Sequence, residues 1–90
     1  MSTNTIEVGQ PKNITATGDV TTTNTQLLGF YVNSTTAGTL AFKAGGSGGT
    51  VLTGTITPAI GWNELPIFVE KGLYVTVGGT IDVTFSYLQA

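Results

Sequence analysis

The chain has 90 residues, no cysteine, no histidine and a formal net charge of −2. This length fits one small domain with a modest core, and the missing residue types exclude disulfides and nearly every transition-metal site. Three lysines and no arginine exclude nucleic-acid binding through phosphate contacts and a polybasic membrane anchor. No apolar run is long enough to span a membrane. We therefore expect no cofactor, and we expect oligomerisation to supply stability that crosslinks do not.

Residues 1–25 are rich in threonine and asparagine, with isolated apolar residues between them. Short extended segments are predicted around residues 5–8 and 12–16, with Pro11 and Gly18 as breaks. One interpretation is a loosely held tail, and the other is an arm that pairs with a neighbouring subunit. The first residues lack the basic and apolar regions of a signal peptide, so we expect synthesis in a cytoplasm.

The middle of the chain predicts a hairpin followed by a glycine-rich loop. Residues 26–33 form a predicted strand with Leu28, Phe30 and Val32 on one face, and the chain returns over residues 39–44. The glycines that follow are interpreted as a solvated loop, because a phosphate-binding loop would need a lysine and a helix after them.

Another strand is predicted over residues 50–57, and Pro66 then indicates an edge strand or a bend. Trp62 is the only tryptophan of the chain. Such a residue most often anchors a core or an interface, and the other interpretation is a platform on which a sugar ring stacks.

The last hairpin is the clearest pattern of the sequence. Gly78 and Gly79 suit a tight two-residue turn between two alternating strands. The apolar residues of these strands alternate with polar ones and are Leu73, Val75, Val77, Ile81, Val83, Phe85 and Tyr87.

No segment of ten residues or more shows a helical period, and turn signals recur at short intervals. The sequence therefore predicts an all-β fold of seven to eight short antiparallel strands, a jelly-roll or β-sandwich. An immunoglobulin-like sandwich is the second choice. The predicted organisation is an N-terminal arm over residues 1–25 and a β-sandwich domain over residues 26–90.

We expect no enzyme, because histidine and cysteine are missing and the acids show no catalytic pairing. Glu64 and Glu70 border predicted turns, where solvated acids are common. Asp19 and Asp82 could bind a hard cation, but no loop has the spacing of calcium ligands. Two matches to the glycosylation sequon, at Asn13 and Asn33, are attributed to chance in a threonine-rich chain.

Three segments carry a resemblance to a known class of proteins: residues 27–40 (LLGFYVNSTTAGTL), residues 54–61 (GTITPAIG) and residues 77–85 (VGGTIDVTF). The chain resembles the short, cysteine-free, all-β virion proteins of tailed bacteriophages, which are capsid decoration (cement) or head-fibre subunits. The resemblance implies a jelly-roll or sandwich that forms a homotrimer, binds the major capsid protein on the outer surface of the head and stabilises or decorates it. It also implies synthesis in the host cytoplasm.

Such a subunit can hold a neighbour by adding a strand to its sheet. We expect Thr5, Ile6, Glu7 and Val8 to be the partner-binding residues of the arm.

The alternative function is a glycan- or receptor-binding module, such as a fibre tip or an adhesin-like domain. It predicts that Trp62, Tyr31 and Tyr74 are exposed and adjacent. The structural function predicts instead that these three residues are buried in the core or at subunit contacts.

Overall fold

A computed structural model describes residues 9–89, and every regular element within this range is a β-strand. All strand pairs are antiparallel. The chain is therefore all-β, as predicted, although six strands form in this range where seven to eight were expected. The strands are β1 (Gln10–Ile14), β2 (Gly18–Asp19), β3 (Thr25–Ala44), β4 (Thr50–Val51), β5 (Gly61–Val69) and β6 (Leu73–Gln89).

The long strands β3 and β6 are the centre of the sheet. They pair along their whole length, from Thr25 opposite Gln89 to Ala44 opposite Leu73. On the other edge of β3, β5 pairs with its first half and β4 with its end. On the other edge of β6, β1 pairs with the second half and β2 with the beginning. The short strands thus extend each half of one long two-stranded ribbon.

Both predicted hairpins are wrong. β6 runs through Gly78 and Gly79 without reversing, and β3 runs through residues 34–38 in the same way. These two segments lie opposite each other, with Thr36 paired to Thr80 and Thr39 paired to Gly78. These turn-like segments therefore bend β3 and β6 at the same place and reverse neither strand. Each strand hydrogen-bonds to the other strand and not to another part of itself.

The bend is sharp, as the positions of two phenylalanines on β3 show. Twelve residues of extended strand span about 40 Å, yet the ring centroids of Phe30 and Phe42 are 5.8 Å apart. The strand must fold over between them, and the register shifts there mark β-bulges. Ala37 (φ 53°) and Gly79 (φ 64°) adopt left-handed backbone at the bend. A Cβ on Gly79 would collide with the carbonyl oxygen of Ala37.

The bend places the two halves of the apolar face against each other. Phe85 packs against Phe30 at 5.6 Å and edge-on against Phe42 at 5.8 Å. These three rings are the centre of the core, since all are almost completely buried. The surrounding buried apolar residues are Ile14, Val20, Leu27, Val32, Leu40, Val69, Leu73, Val75, Ile81 and Val83.

A bulge at Leu28 changes which leucine reaches this core. Against β6, Leu28 is the extra residue between Leu27 and Gly29, whereas against β5 the extra residue lies on β5, where Leu65 and Pro66 face Leu28. Leu27 is buried and Leu28 is half-buried, so the prediction that Leu28 shares the buried face of Phe30 and Val32 is wrong. Strict alternation cannot reveal an inserted residue.

Residues 10–19 of the predicted arm pair with β6 of the same chain through β1 and β2. Ile14 of β1 is buried in the core. Thr5, Ile6, Glu7 and Val8 lie outside the described residues, and their partner-binding role stays a prediction.

Two buried threonines fix the start of β3 to the start of β6. The hydroxyl groups of Thr21 and Thr25 are 2.6 Å apart. The Thr21 hydroxyl accepts a hydrogen bond of 3.0 Å from the amide of Leu73, and the Thr25 hydroxyl donates one of 2.7 Å to the carbonyl of Thr23. A buried polar group without a hydrogen-bond partner destabilises the fold. The hydroxyl groups of Thr21 and Thr25 avoid this cost by bonding to each other and to backbone groups.

Candidate binding face

One surface of the sheet combines exposed aromatic and polar side chains. We define the outer face as the outward side of β5, residues 25–33 of β3, residues 81–89 of β6 and β1. The register places four residues directly opposite one another across these four strands. The row consists of Trp62, Tyr31, Thr84 and Asn13, and cross-strand neighbours of this kind share one face of the sheet.

The two aromatic residues of this row are exposed. Trp62 retains 52% and Tyr31 retains 49% of their accessible surface. The indole of Trp62 lies against Gly29 of the neighbouring strand, where a Cβ would be 2.7 Å from its Cζ2 atom. Gly29 therefore leaves room for the ring, which rests against β3 while about half of its surface stays open.

The other end of the outer face is slightly concave and combines apolar with polar surface. Phe68 is 53% exposed and lies opposite Gln26. Next to it is a shallow depression of about 240 Å³, at the register shift where Leu65 and Pro66 of β5 face Leu28 of β3. Its lining residues are Gln26, Leu27, Leu28, Pro66, Ile67 and Phe68.

Beside the aromatic row, two amides hold one carboxylate. Oδ1 of Asp82 accepts hydrogen bonds from the side-chain amides of Asn13 (2.7 Å) and Asn33 (3.1 Å). Both amides also donate to the hydroxyl of Thr84, at 3.3 Å and 3.0 Å. The bond from Asn13, followed by that from Asn33, lowers the pKa of Asp82 below its usual value of 3.8.

This lowered pKa makes a pH-dependent contribution to stability. The bonds favour the charged carboxylate, so their contribution is present above the ordinary pKa and is lost as the pH falls through the lowered pKa. We expect the unfolding free energy of Asp82→Asn to fall less steeply than that of the wild type as the pH drops below about 4. Urea denaturation between pH 2 and 7 measures this dependence. Asn13→Ala should flatten it more than Asn33→Ala, since Asn13 forms the shorter bond. An unchanged slope in Asp82→Asn would contradict this assignment.

The sequence singled out three aromatic residues, and the structure brings two of them together. Tyr31 and Trp62 are direct cross-strand partners. Tyr74 is half-buried on the other half of the sheet, opposite Lys43 and Asp19. Trp62 is not a core residue of the isolated chain, which leaves its surface available to a partner or a ligand.

The acids are dispersed. Glu64 belongs to β5 and is exposed, two residues from Trp62 on the same side of the strand, whereas Glu70 lies in the turn before β6. Within residues 9–89 no three side chains of the His, Cys, Asp and Glu types are grouped closely enough to bind a metal ion. In the same range no helix has the length and apolar character needed to cross a bilayer.

Sequence reasoning missed the polar half of this face. The sequence interpretation attributes the sequons at Asn13 and Asn33 to chance, yet the two side-chain amides share the carboxylate of Asp82. Their joint position depends on the pairing of β1 and β3 with opposite edges of β6. A single sequence shows alternation within a strand but not which strands are neighbours.

Comparisons with known proteins give no assignment for this arrangement: family models, curated proteins and solved structures were all searched, and none matches the chain.

Proposed function

We propose that the chain is a structural virion protein of a tailed bacteriophage, which binds the major capsid protein on the outer surface of the head as a homotrimer and stabilises or decorates it. What supports this proposal most is a set of aliphatic side chains in solvent at the end of β4 and in the segment that leads to β5. Val51 and Ile60 are 65% and 66% exposed, and Leu52 is 37% exposed. Covering aliphatic side chains with a protein partner is favourable, because it removes their apolar surface from water.

Low charge supports the same proposal. Only 9% of the residues are charged, so few side chains oppose close approach of another subunit. Within the described residues, no strand pairs with the second edge of β5. An open edge is a surface to which another chain can add a strand.

The finer fold class is part of the proposal. A jelly-roll or sandwich needs two layers with a shared core, and the contact between Phe30 and Phe42 across the bend of β3 supports two facing layers.

Sedimentation velocity of the full chain tests the assembly. We expect a species of three times the 9.3 kDa chain mass, and we expect Val51→Thr combined with Ile60→Thr to dissociate it while the fold is retained. Thr55→Ser, an exposed change in the same segment, is the matched control. A monomer at every concentration would contradict the trimer.

Two truncations test the arm. Deleting residues 1–8 removes Thr5, Ile6, Glu7 and Val8 but leaves β1, whose Gln10 pairs with Tyr87. We expect this variant to unfold at the wild-type temperature and to lose binding to capsids in a co-sedimentation assay. Deleting residues 1–4, which spares the four candidates, should retain binding. Normal capsid occupancy by the longer truncation would eliminate the arm as the partner-binding element.

A second candidate function, recognition of a glycan or receptor, is favoured by a specific observation. The exposed, adjacent positions of Tyr31 and Trp62 are those expected of a binding module. Tyr74 departs from that expectation. The two candidates use different residues, since Val51, Leu52 and Ile60 precede β5, whereas Tyr31 and Trp62 lie on β3 and β5.

A further inference from the structure

We infer that the outer face is a binding site for a neutral, extended oligosaccharide, with Trp62 and Tyr31 as its stacking platform. This inference rests on the second candidate function, whose ligand class it specifies, and it holds whether or not the chain is part of a virion. It names a ligand class and residues that can be tested separately from subunit assembly.

The platform has the geometry that stacking requires. A sugar ring presents a face of C–H groups, which carry a small positive charge and are attracted to the negative face of an aromatic ring. Trp62 is supported by Gly29 beneath it and remains half open, and Tyr31 lies directly beside it. A side chain already held against the sheet loses little conformational freedom when a ligand binds.

The hydrogen-bonding groups around the platform suit hydroxyl donors. Glu64 lies on the same side of β5 as Trp62. Asp82 presents a carboxylate with about four acceptor positions, of which the two amides occupy part. These acceptors match the hydroxyl groups of a sugar.

The distribution of cations argues for a neutral ligand. None of the three lysines lies on the outward side of the strands that carry the aromatic row. Lys12 of β1 is opposite Phe85, whose side chain is in the core, Lys43 belongs to the other half of the sheet, and Lys71 lies in the turn between β5 and β6 beside Gly45. A sulfated or phosphorylated ligand would meet the carboxylates of Glu64 and Asp82 without a compensating cation.

The length of the face indicates a chain of sugars. Trp62 and Phe68 lie at the two ends of β5, about 20 Å apart at the usual rise of a strand. Between them are the depression beside Pro66 and Leu28 and the exposed amide of Gln26 opposite Phe68. An extended oligosaccharide can contact both ends, whereas a single sugar can contact one.

Affinity electrophoresis of the full chain in native gels tests the inference. The gels contain a mixed-linkage β-glucan, a galactomannan or a dextran, with heparin as the charged comparison. We expect at least one neutral polysaccharide to retard the chain and heparin to leave it unretarded. Trp62→Ala and Tyr31→Ala should each weaken this binding about tenfold or more. Val51→Ala, at a more exposed site outside the face, should bind as the wild type does.

Each variant is first checked for wild-type thermal unfolding, and Trp62→Phe and Glu64→Gln are included because they conserve shape. Partial binding by both would support the assigned roles. The inference is overturned if no neutral polysaccharide retards the chain, or if Trp62→Ala binds normally. It is also overturned if Trp62→Ala and Tyr31→Ala dissociate an oligomer in sedimentation, because the face would then be a protein interface. None of these outcomes depends on the Val51 and Ile60 variants that test assembly.

Discussion

Replacing Phe85 with alanine should remove a large part of the stability of the fold. Phe85 is completely buried and contacts the rings of both Phe30 and Phe42. Removing such a side chain costs about 3–5 kcal/mol through lost apolar burial and the cavity that remains. A domain of this size has a total stability of about 5–13 kcal/mol. We expect the thermal midpoint to fall by about 15 °C or more, measured by circular dichroism.

Phe68→Ala is the matched control, because it removes the same atoms from a ring that is 53% exposed. It should change the unfolding free energy by less than about 1 kcal/mol. Comparable losses in the two variants would show that the three buried rings are not the centre of the core. Phe85→Leu should recover part of the lost stability, since it refills some of the cavity.

Gly72→Ala should be nearly as destabilising, for a different reason. Gly72 has φ 103° immediately before β6. A Cβ there would lie 2.6 Å from the carbonyl oxygen of Thr21 and 2.7 Å from the Cα atom of Thr22. These are backbone atoms, so no side chain can rotate away. Backbone strain of about 1–2 kcal/mol and displacement of the neighbouring segment together should cost about 3 kcal/mol or more in urea unfolding.

Two other glycines separate these contributions. Gly46 has φ 93° with nothing near its Cβ position, and Gly54 has open space without a positive φ. We therefore expect Gly46→Ala to show the strain alone. Gly54→Ala should be neutral or slightly stabilising, because alanine restricts the unfolded chain. Equal losses of stability in Gly72→Ala and Gly46→Ala would mean that the backbone at Thr21 and Thr22 moves aside without a cost in free energy.

Alternation in the sequence predicted the class of fold, and it contained a clue to the arrangement of β6. Leu73, Val75, Ile81 and Val83 are all odd-numbered. A two-residue turn at Gly78–Gly79 would have paired Val75 with residue 82 and thus placed the apolar residues of its two strands on opposite faces. One continuous strand keeps them on one face, as observed. The sequence interpretation gave more weight to the two consecutive glycines, which are typical of a turn, than to the odd numbering of the apolar residues on both sides of them.

Other features could not be read from one sequence. The bulge at Leu28, the bend of β3 and the meeting of Asn13 with Asn33 at Asp82 all depend on which strands become neighbours. The binding-module alternative predicts that Trp62 and Tyr31 are exposed, whereas the structural function predicts that they are buried in the core or at subunit contacts. Their direct pairing follows from the register of β3 and β5.

The position of β6 has a consequence for biosynthesis. β1, β2 and β3 all hydrogen-bond to β6, yet each precedes it in the chain and is synthesised before it. The edges of these three strands that face β6 have no hydrogen-bond partner until residues 73–89 leave the ribosome. The contacts that then form join residues far apart in the chain, such as Thr25 and Gln89. Folding should therefore be late, slow and exposed to aggregation during translation. A scarcity of hydrophobic residues in the early segment around β1 and β2 would reduce that hazard, and Ile14 and Val20 are the buried apolar residues there.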